Sequence, residues 1–113
     1  MEYQLSPVVR LDTFRNVPED RRDELIARIS MTHSVLRRQA GFMRDQLLES
    51  RAPDGTTTVV TIAEWASADA IPAAAAAVRE LHARERFDPH EFLQRLGIDA
   101  EFGRFRPLEE VLQ

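Results

Sequence analysis

The feature that most restricts the fold of this chain is a β-hairpin pattern in residues 42–65. Two runs compatible with β-structure flank the segment Ala-Pro-Asp-Gly at 52–55, and these are residue types that tight turns favour. In the second run, odd-numbered and even-numbered positions point to opposite faces of the predicted strand. One face carries Val59, Thr61, Ala63 and Trp65, and the other carries Val60, Ile62 and Glu64. The only tryptophan of the chain therefore stands beside small side chains.

The pattern before the hairpin predicts a strand followed by a helix. Residues 8–14, VVRLDTF, are rich in β-forming types. Residues 16–41 follow, with Pro18 suited to the first helical turn and Gly41 as the C-terminal stop. Apolar and small polar positions repeat every three or four residues, which places one set on the inward face of this helix. That set is Leu25, Ile29, Thr32, His33 and Leu36.

The pattern after the hairpin predicts two helices and a last strand. A second helix extends to about residue 86; Ser67 or Asp69 is available as its cap, and Asp69 is favoured because Pro72 then falls in the first turn. A short extra helix is predicted at about 89–97, with Asp88 as its cap and Gly97 as its stop. A fourth strand is predicted around residues 101–106.

This order of elements, β-α-β-β-α-(α)-β, predicts an α+β protein with a ferredoxin-like βαββαβ protomer and an antiparallel sheet. We expect a single domain over residues 1–113, with its core in 8–106 and a C-terminal tail. Two helices cover only one face of a four-stranded sheet, and the other face would remain apolar. Its apolar residues are Val9, Leu11, Val60 and Ile62. We therefore expect a homodimer packed sheet to sheet.

Composition excludes several classes of function. The net charge is −4, and arginines alternate with acidic residues, which argues against nucleic-acid binding. The chain contains no cysteine, so disulfides, thiolate metal sites and a cysteine nucleophile are excluded. The N-terminal residues show no signal-peptide pattern and no run is long enough to span a membrane, so we expect a cytoplasmic protein.

Residues 37–74 contain short motifs that are typical of a known protein family. A Gly-Phe pair opens the second strand, Asp-Gly occupies the turn, and Glu-Trp-x-Ser leads into the second helix. In this order and spacing the sequence resembles the antibiotic biosynthesis monooxygenase domain family, and the likeness extends over residues 8–86. The resemblance implies a dimeric α/β barrel of ferredoxin-like protomers. It also implies one of several chemistries: cofactor-independent oxidation of anthrone-like polyketides, oxidation of small quinols, or heme degradation.

The residues at the positions of the family's site motifs help to distinguish between these chemistries. Anthrone-oxidising relatives keep a tryptophan at the end of strand three, here Trp65, and an asparagine four residues earlier, where this chain has Thr61. Heme-degrading relatives have a tryptophan ten residues before the helix-two histidine, whereas this chain has Pro72 before His82. We therefore expect no heme, and neither a cofactor nor a metal ion.

The resulting functional hypothesis is a cofactor-independent monooxygenase that acts on an aromatic polyketide or a quinol-type small molecule. Such an enzyme needs a base, a flat apolar wall and a donor for the substrate oxyanion. A polyketide cyclase or isomerase would use the same pocket and base without oxygen. A non-catalytic ligand-binding or interaction module remains the third alternative.

The candidate catalytic bases are Asp12, which shares a strand face with Arg10 and Phe14, and His33 on the inward face of the first helix. The alternatives are an Asp12–Arg10 ion pair and a structural histidine. Trp65 is either the pocket wall or a plug at the end of the core. The full set of candidate substrate-binding residues is Trp65, Thr61, Phe14, Arg44 and Gln46.

Overall fold

The chain forms the predicted succession of strands and helices. The computed structural model describes residues 6–108, so part of the predicted C-terminal tail lies outside the described residues. The strands are β1 (Val8–Val17), β2 (Phe42–Arg51), β3 (Thr57–Trp65) and β4 (Asp99–Phe105). The helices are α1 (Arg22–Leu36), α2 (Ile71–Arg84) and α3 (Pro89–Leu96). The predicted α+β ferredoxin-like fold is confirmed.

The four strands form one antiparallel sheet in the order β2-β3-β1-β4. In the pairing of the central strands, Asp12 stands opposite Thr61 and Phe14 opposite Val59. Residues that stand opposite each other point to the same face of a sheet. Asp12, Thr61 and Trp65 therefore share the face that the helices cover, as the alternation in the sequence predicts.

Strand β1 is longer than its sequence pattern predicts. It continues to Val17, with an irregularity in its pairing with β3 between Phe14 and Val17. Asn16 adopts a left-handed backbone conformation with φ of 62°, and its amide Nδ2 donates to Asp99 Oδ2 over 2.6 Å. This bond joins the end of β1 to the start of β4, which lies two residues earlier than predicted.

Helix α1 ends at Leu36, earlier than the predicted stop at Gly41. Gly41 stands at the end of the segment that joins α1 to β2. Only glycine suits this position, because residues with a side chain disfavour its φ of +88° and a Cβ there would lie 2.7 Å from Ala70 Cβ. The carbonyl oxygen of Gly41 also accepts a hydrogen bond from the Ala66 N–H over 2.8 Å. The glycine thus brings the start of β2 close to the segment that precedes α2.

The helix caps confirm one prediction and correct another. The Asp88 carboxylate accepts from the backbone N–H groups of His90 and Glu91 at the start of α3, and Gly97 ends that helix in the left-handed region. Helix α2 carries Pro72 in its first turn, as predicted. However, neither Ser67 nor Asp69 caps it, because a short 3-10 turn at 68–70 leads directly into the helix and no side-chain cap forms.

The core between sheet and helices consists of two clusters of buried side chains. The larger cluster contains Phe14, Val17, Leu25, Ile29, Val59, Phe92, Leu96 and Ile98. The smaller cluster contains Ala63, Trp65, Ile71 and Ala74. The two clusters lie toward opposite ends of β3, and the polar side chains described below lie between them.

The opposite face of the sheet is not covered by any element of the described residues. Val9, Leu11, Val60 and Ile62 are half-buried there, while Leu48 and Phe105 are 45% and 53% exposed. We refer to these six residues as the open sheet face. None of the helices within residues 6–108 combines the length and the apolar character that a membrane span requires.

Candidate active site

Two adjoining cavities lie between the helices and the helix-covered face of the sheet. Their volumes are ≈ 370 Å³ and ≈ 150 Å³; we call them the larger and the smaller compartment. Six residues border both compartments: Asp12, Thr32, His33, Thr61, His82 and Pro89. Most of these are polar, so the boundary between the compartments is where chemistry on a bound molecule is most readily supported.

The larger compartment has Trp65 as one wall. The indole is 2% exposed and packs edge-on against Phe42, with ring centroids 5.5 Å apart. Small side chains face it from the sheet and from α2, namely Ala63, Ala74 and Ala75. The tryptophan belongs to a core cluster and also borders the larger compartment.

The smaller compartment is lined mainly by apolar side chains, including four phenylalanines. Phe14, Phe87, Phe92 and Phe102 border it. The guanidinium carbon of Arg28 lies 3.5 Å from the centre of the Phe87 ring, and Arg28 Nη2 is 2.9 Å from Glu85 Oε1. This cation–π contact and ion pair join α1 to the end of α2 and close that side of the compartment.

Asp12 lies on β1 at the boundary of the two compartments. Its Oδ1 accepts a hydrogen bond from Arg10 Nη2 over 3.2 Å, so the predicted alternative of an ion pair is present while the carboxyl also borders the cavity. Burial raises the pKa of Asp12, and the opposing effects of Arg10 and His33 do not cancel this rise. A buried carboxyl group with a raised pKa that borders a cavity is a candidate proton acceptor.

His33 reaches the same boundary from α1 and is held by a carboxylate. Its Nδ1 lies 2.8 Å from Asp45 Oδ2, and Arg37 Nε donates to the same oxygen over 3.0 Å. The side chains of His33 and Asp45 are only 6% and 13% exposed. Burial acts to raise the pKa of Asp45, but the hydrogen bonds from His33 and Arg37 outweigh it and hold that pKa below its ordinary value.

Two residues of this site are absent from the sequence-based set. Asp45 stands opposite Ala63, so it shares the helix-covered face with Leu47 and Glu49. The sequence does indicate this position, because Asp45 lies two residues before the apolar Leu47 and therefore on the same face of the strand. His82 continues the inward stripe of α2, at helical spacing from Ile71, Ala75 and Val78. Burial, aided by the charge of Arg28, lowers the pKa of His82.

The structure corrects the prediction for Arg44 and Gln46. These residues stand opposite Glu64 and Ile62 and therefore point to the open sheet face, away from both compartments. Arg44 Nε donates to Glu64 Oε2 over 2.7 Å. The other predicted residues, Asp12, Phe14, His33, Thr61 and Trp65, all border the compartments. Within residues 6–108, no three His, Asp or Glu side chains are grouped as a metal site would require.

Comparison with known proteins gives both a family and related structures. The sequence model of the antibiotic biosynthesis monooxygenase family matches residues 7–86. Two structures of SnoaB from Streptomyces nogalater, described as a cofactor-independent oxygenase, are similar to this chain. The first, of a mutant, is 25% identical with a TM-score of 0.65, covering 91% of this chain and 94% of SnoaB. The second is 29% identical with a TM-score of 0.53, covering 90% and 93%.

A more distant structure shows the fold alone. A dimeric ferredoxin-like protein from an uncultured marine organism is 13% identical, with a TM-score of 0.66, and the match covers 91% of this chain and 96% of that one. No curated protein sequence matches the chain.

Proposed function

Because the chain belongs to the antibiotic biosynthesis monooxygenase family, we propose that it is a cofactor-independent monooxygenase that oxidises a flat aromatic small molecule, of the aromatic polyketide or quinol type. One observation carries this proposal: Trp65 supplies a flat wall of the larger compartment, while two proton-accepting side chains, His33 and Asp12, border the same compartment. The likeness to SnoaB, a protein described as a cofactor-independent oxygenase, supports it.

The reaction needs no reductant if the substrate contains an activated CH₂ group, as an anthrone does. A base removes one proton, and the carbanion or phenolate that remains transfers one electron to O₂. The resulting radical and superoxide combine into a peroxide anion, which takes the proton back from the base and then loses water to leave a carbonyl group. The balance is CH₂ plus O₂ giving C=O plus H₂O, so one oxygen atom enters the product and the other leaves in water.

The residues of the compartment supply what these steps require. The indole of Trp65 stacks on the substrate ring, and the small side chains of Ala63 and Ala75 leave room for it. His33 or Asp12 accepts the proton. The Thr61 hydroxyl, at the position opposite Asp12, donates to the substrate oxygen that becomes negatively charged.

We also propose that the protein is a cytoplasmic homodimer that binds neither nucleic acid nor membranes. The open sheet face is the expected dimer contact, because its apolar side chains would otherwise remain in water. The similarity to a protein described as dimeric and ferredoxin-like supports this assembly.

Oxygen uptake with an anthrone, combined with ¹⁸O₂ labelling, tests the proposed reaction. We expect one labelled oxygen atom in the quinone product and no requirement for added flavin, heme or metal. A surface variant, Glu80→Gln, is the control and should consume oxygen like the wild-type protein, because Glu80 is exposed and pairs with Arg84 on the same helix. Conversion of the substrate to an isomer without oxygen uptake would indicate a cyclase or isomerase. Binding without turnover, measured by Trp65 fluorescence, would indicate a ligand-binding module.

A further inference from the structure

The contact between His33 and Asp45 fixes which ring nitrogen of the histidine is available. Asp45 Oδ2 lies 2.8 Å from His33 Nδ1, 3.0 Å from Arg37 Nε and 2.9 Å from Arg37 Nη2. The arginine beside it keeps this carboxylate ionised, and an ionised carboxylate can only accept hydrogen bonds. The hydrogen of a neutral His33 ring therefore sits on Nδ1, and the lone pair sits on Nε2.

The arrangement is built from three different parts of the fold. His33 and Arg37 are one helical turn apart on α1 and its C-terminal cap, so both reach the same oxygen atom. Asp45 comes from the edge strand β2. Arg37 is half-exposed whereas His33 is buried, so the solvent side of the carboxylate is covered by a guanidinium and its inner side faces the ring.

We propose that Asp45 is a positioning residue that makes His33, and not Asp12, the base of the reaction; this inference rests on the proposed function. The substrate O–H or C–H bond breaks, its proton moves to His33 Nε2, and its electron pair stays on the substrate. Asp45 holds the ring in the required tautomer and stabilises the imidazolium that forms. Arg37 holds Asp45 in place and does not contact the substrate.

Charged and titratable groups from α1, α2, β1 and β2 surround His33 in this scheme. Asp45 and Arg37 act on the Nδ1 side, and Asp12 on β1 interacts with His33 electrostatically. His82 on α2 borders both compartments, Arg10 and Arg79 border the larger one, and Arg28 borders the smaller one. Asp12 already accepts from Arg10, whereas the one side-chain hydrogen bond that the His33 ring makes within residues 6–108 is that of Nδ1 with Asp45.

The first experiment follows proton transfer without oxidation. Alizarin, a dihydroxyanthraquinone whose absorption changes when a hydroxyl group ionises, is bound to the protein and the ratio of phenolate to phenol is measured. We expect Asp45→Asn to lower this ratio roughly tenfold, the equivalent of one pH unit, with little change in affinity. Glu49→Gln is the matched control, because Glu49 lies on the same strand and pairs with Arg22. An unchanged ratio in Asp45→Asn, or a loss seen only in Asp12→Asn, overturns the proposal.

The second experiment needs no variant at position 45. ¹⁵N NMR of the histidine side chains, assigned with His33→Gln, reports the tautomer of His33 in the wild-type protein. A neutral ring protonated on Nε2 overturns the proposal even if Asp45→Asn does not fold.

A third experiment measures turnover with an anthrone. We expect Asp45→Asn to lower kcat at least tenfold, to leave KM almost unchanged and to move the acid limb of the pH profile to lower pH. Asp45→Glu should restore part of the turnover.

These experiments distinguish failure of the proposed oxygenase function from failure of the positioning role of Asp45. If wild-type protein ionises alizarin through His33 and Asp45 but consumes no oxygen with an anthrone, the oxygenase proposal fails and the positioning role stands. If alizarin does not bind at all, both proposals fail.

Discussion

Filling the larger compartment tests whether the space beside Trp65 is a binding site or an imperfection of packing. Ala75 on α2 borders this compartment and is half-buried, whereas Ala76 is exposed on the outer side of the same helix. Ala75→Leu and Ala76→Leu make the same chemical change with the same effect on helix propensity. Any difference between the two variants therefore reports what surrounds position 75.

The expected sign follows from the volume of the compartment. Leucine adds three carbon atoms, and burial of each contributes about 0.8 kcal/mol, so filling an existing cavity of ≈ 370 Å³ can stabilise the fold by at most about 2.4 kcal/mol. If the space were already packed, the larger side chain would cost about 1–3 kcal/mol. We expect Ala75→Leu to be at least as stable as Ala76→Leu and to bind a flat aromatic ligand at least tenfold more weakly.

The single tryptophan makes both quantities measurable with one signal. Trp65 fluorescence reports unfolding by guanidinium chloride, and its quenching reports ligand binding. A lower denaturation midpoint for Ala75→Leu, together with unchanged affinity, would refute the view that this space receives the substrate.

Three further predictions follow from individual residues. Trp65→Phe is expected to weaken ligand binding about threefold to tenfold through loss of stacking area while leaving the pH profile of turnover unchanged, as steady-state kinetics would show. Asp12→Asn is expected to raise the thermal unfolding midpoint at pH 7. Burial raises the pKa of Asp12, so this residue contributes to stability as a protonated carboxyl group below pH 3.8, the ordinary pKa of an aspartate. That contribution is lost as the pH rises through the raised pKa of the folded state. The gain should therefore disappear in melts below pH 3.8. Ile62→Glu places a charge on the open sheet face and is expected to convert a micromolar homodimer into a monomer in analytical ultracentrifugation; a wild-type protein that is already monomeric would contradict the dimer proposal.

The strands that could be predicted best are those with one buried and one open face. In β3, strict alternation between Val59 and Trp65 determines which side chains meet the helices, since a shift by one residue would expose the whole set. The same reasoning placed Asp12 on the helix-covered face, and the structure agrees. The helical spacing of Ile29 and His33 likewise predicted a buried histidine on α1.

The residues that were missed depend on information that is not local. On β2, an irregularity between Phe42 and Arg44 sets the pairing with β3, so alternation alone does not tell which side of that strand faces the helices. Without that irregularity, the sequence of β2 favours Arg44 in the pocket as readily as Asp45. The partnership of His33 with Asp45 joins positions on different elements, and only the packing of α1 against the edge of the sheet brings them together.

The order of strands in the sheet also means that two parts of the site differ in how easily they open by local unfolding. Asp12, Thr61 and Trp65 lie on the two central strands, whose backbone hydrogen bonds are shielded on both sides, whereas Asp45 lies on edge strand β2. Edge strands open locally at lower free energy than central ones, and amide hydrogen exchange detects such openings. A brief detachment of β2 would therefore uncouple Asp45 from His33 while the wall and floor of the binding pocket stay folded. On the proposed function, such a protein would alternate between a state that binds its ligand and accepts protons and a state that only binds it.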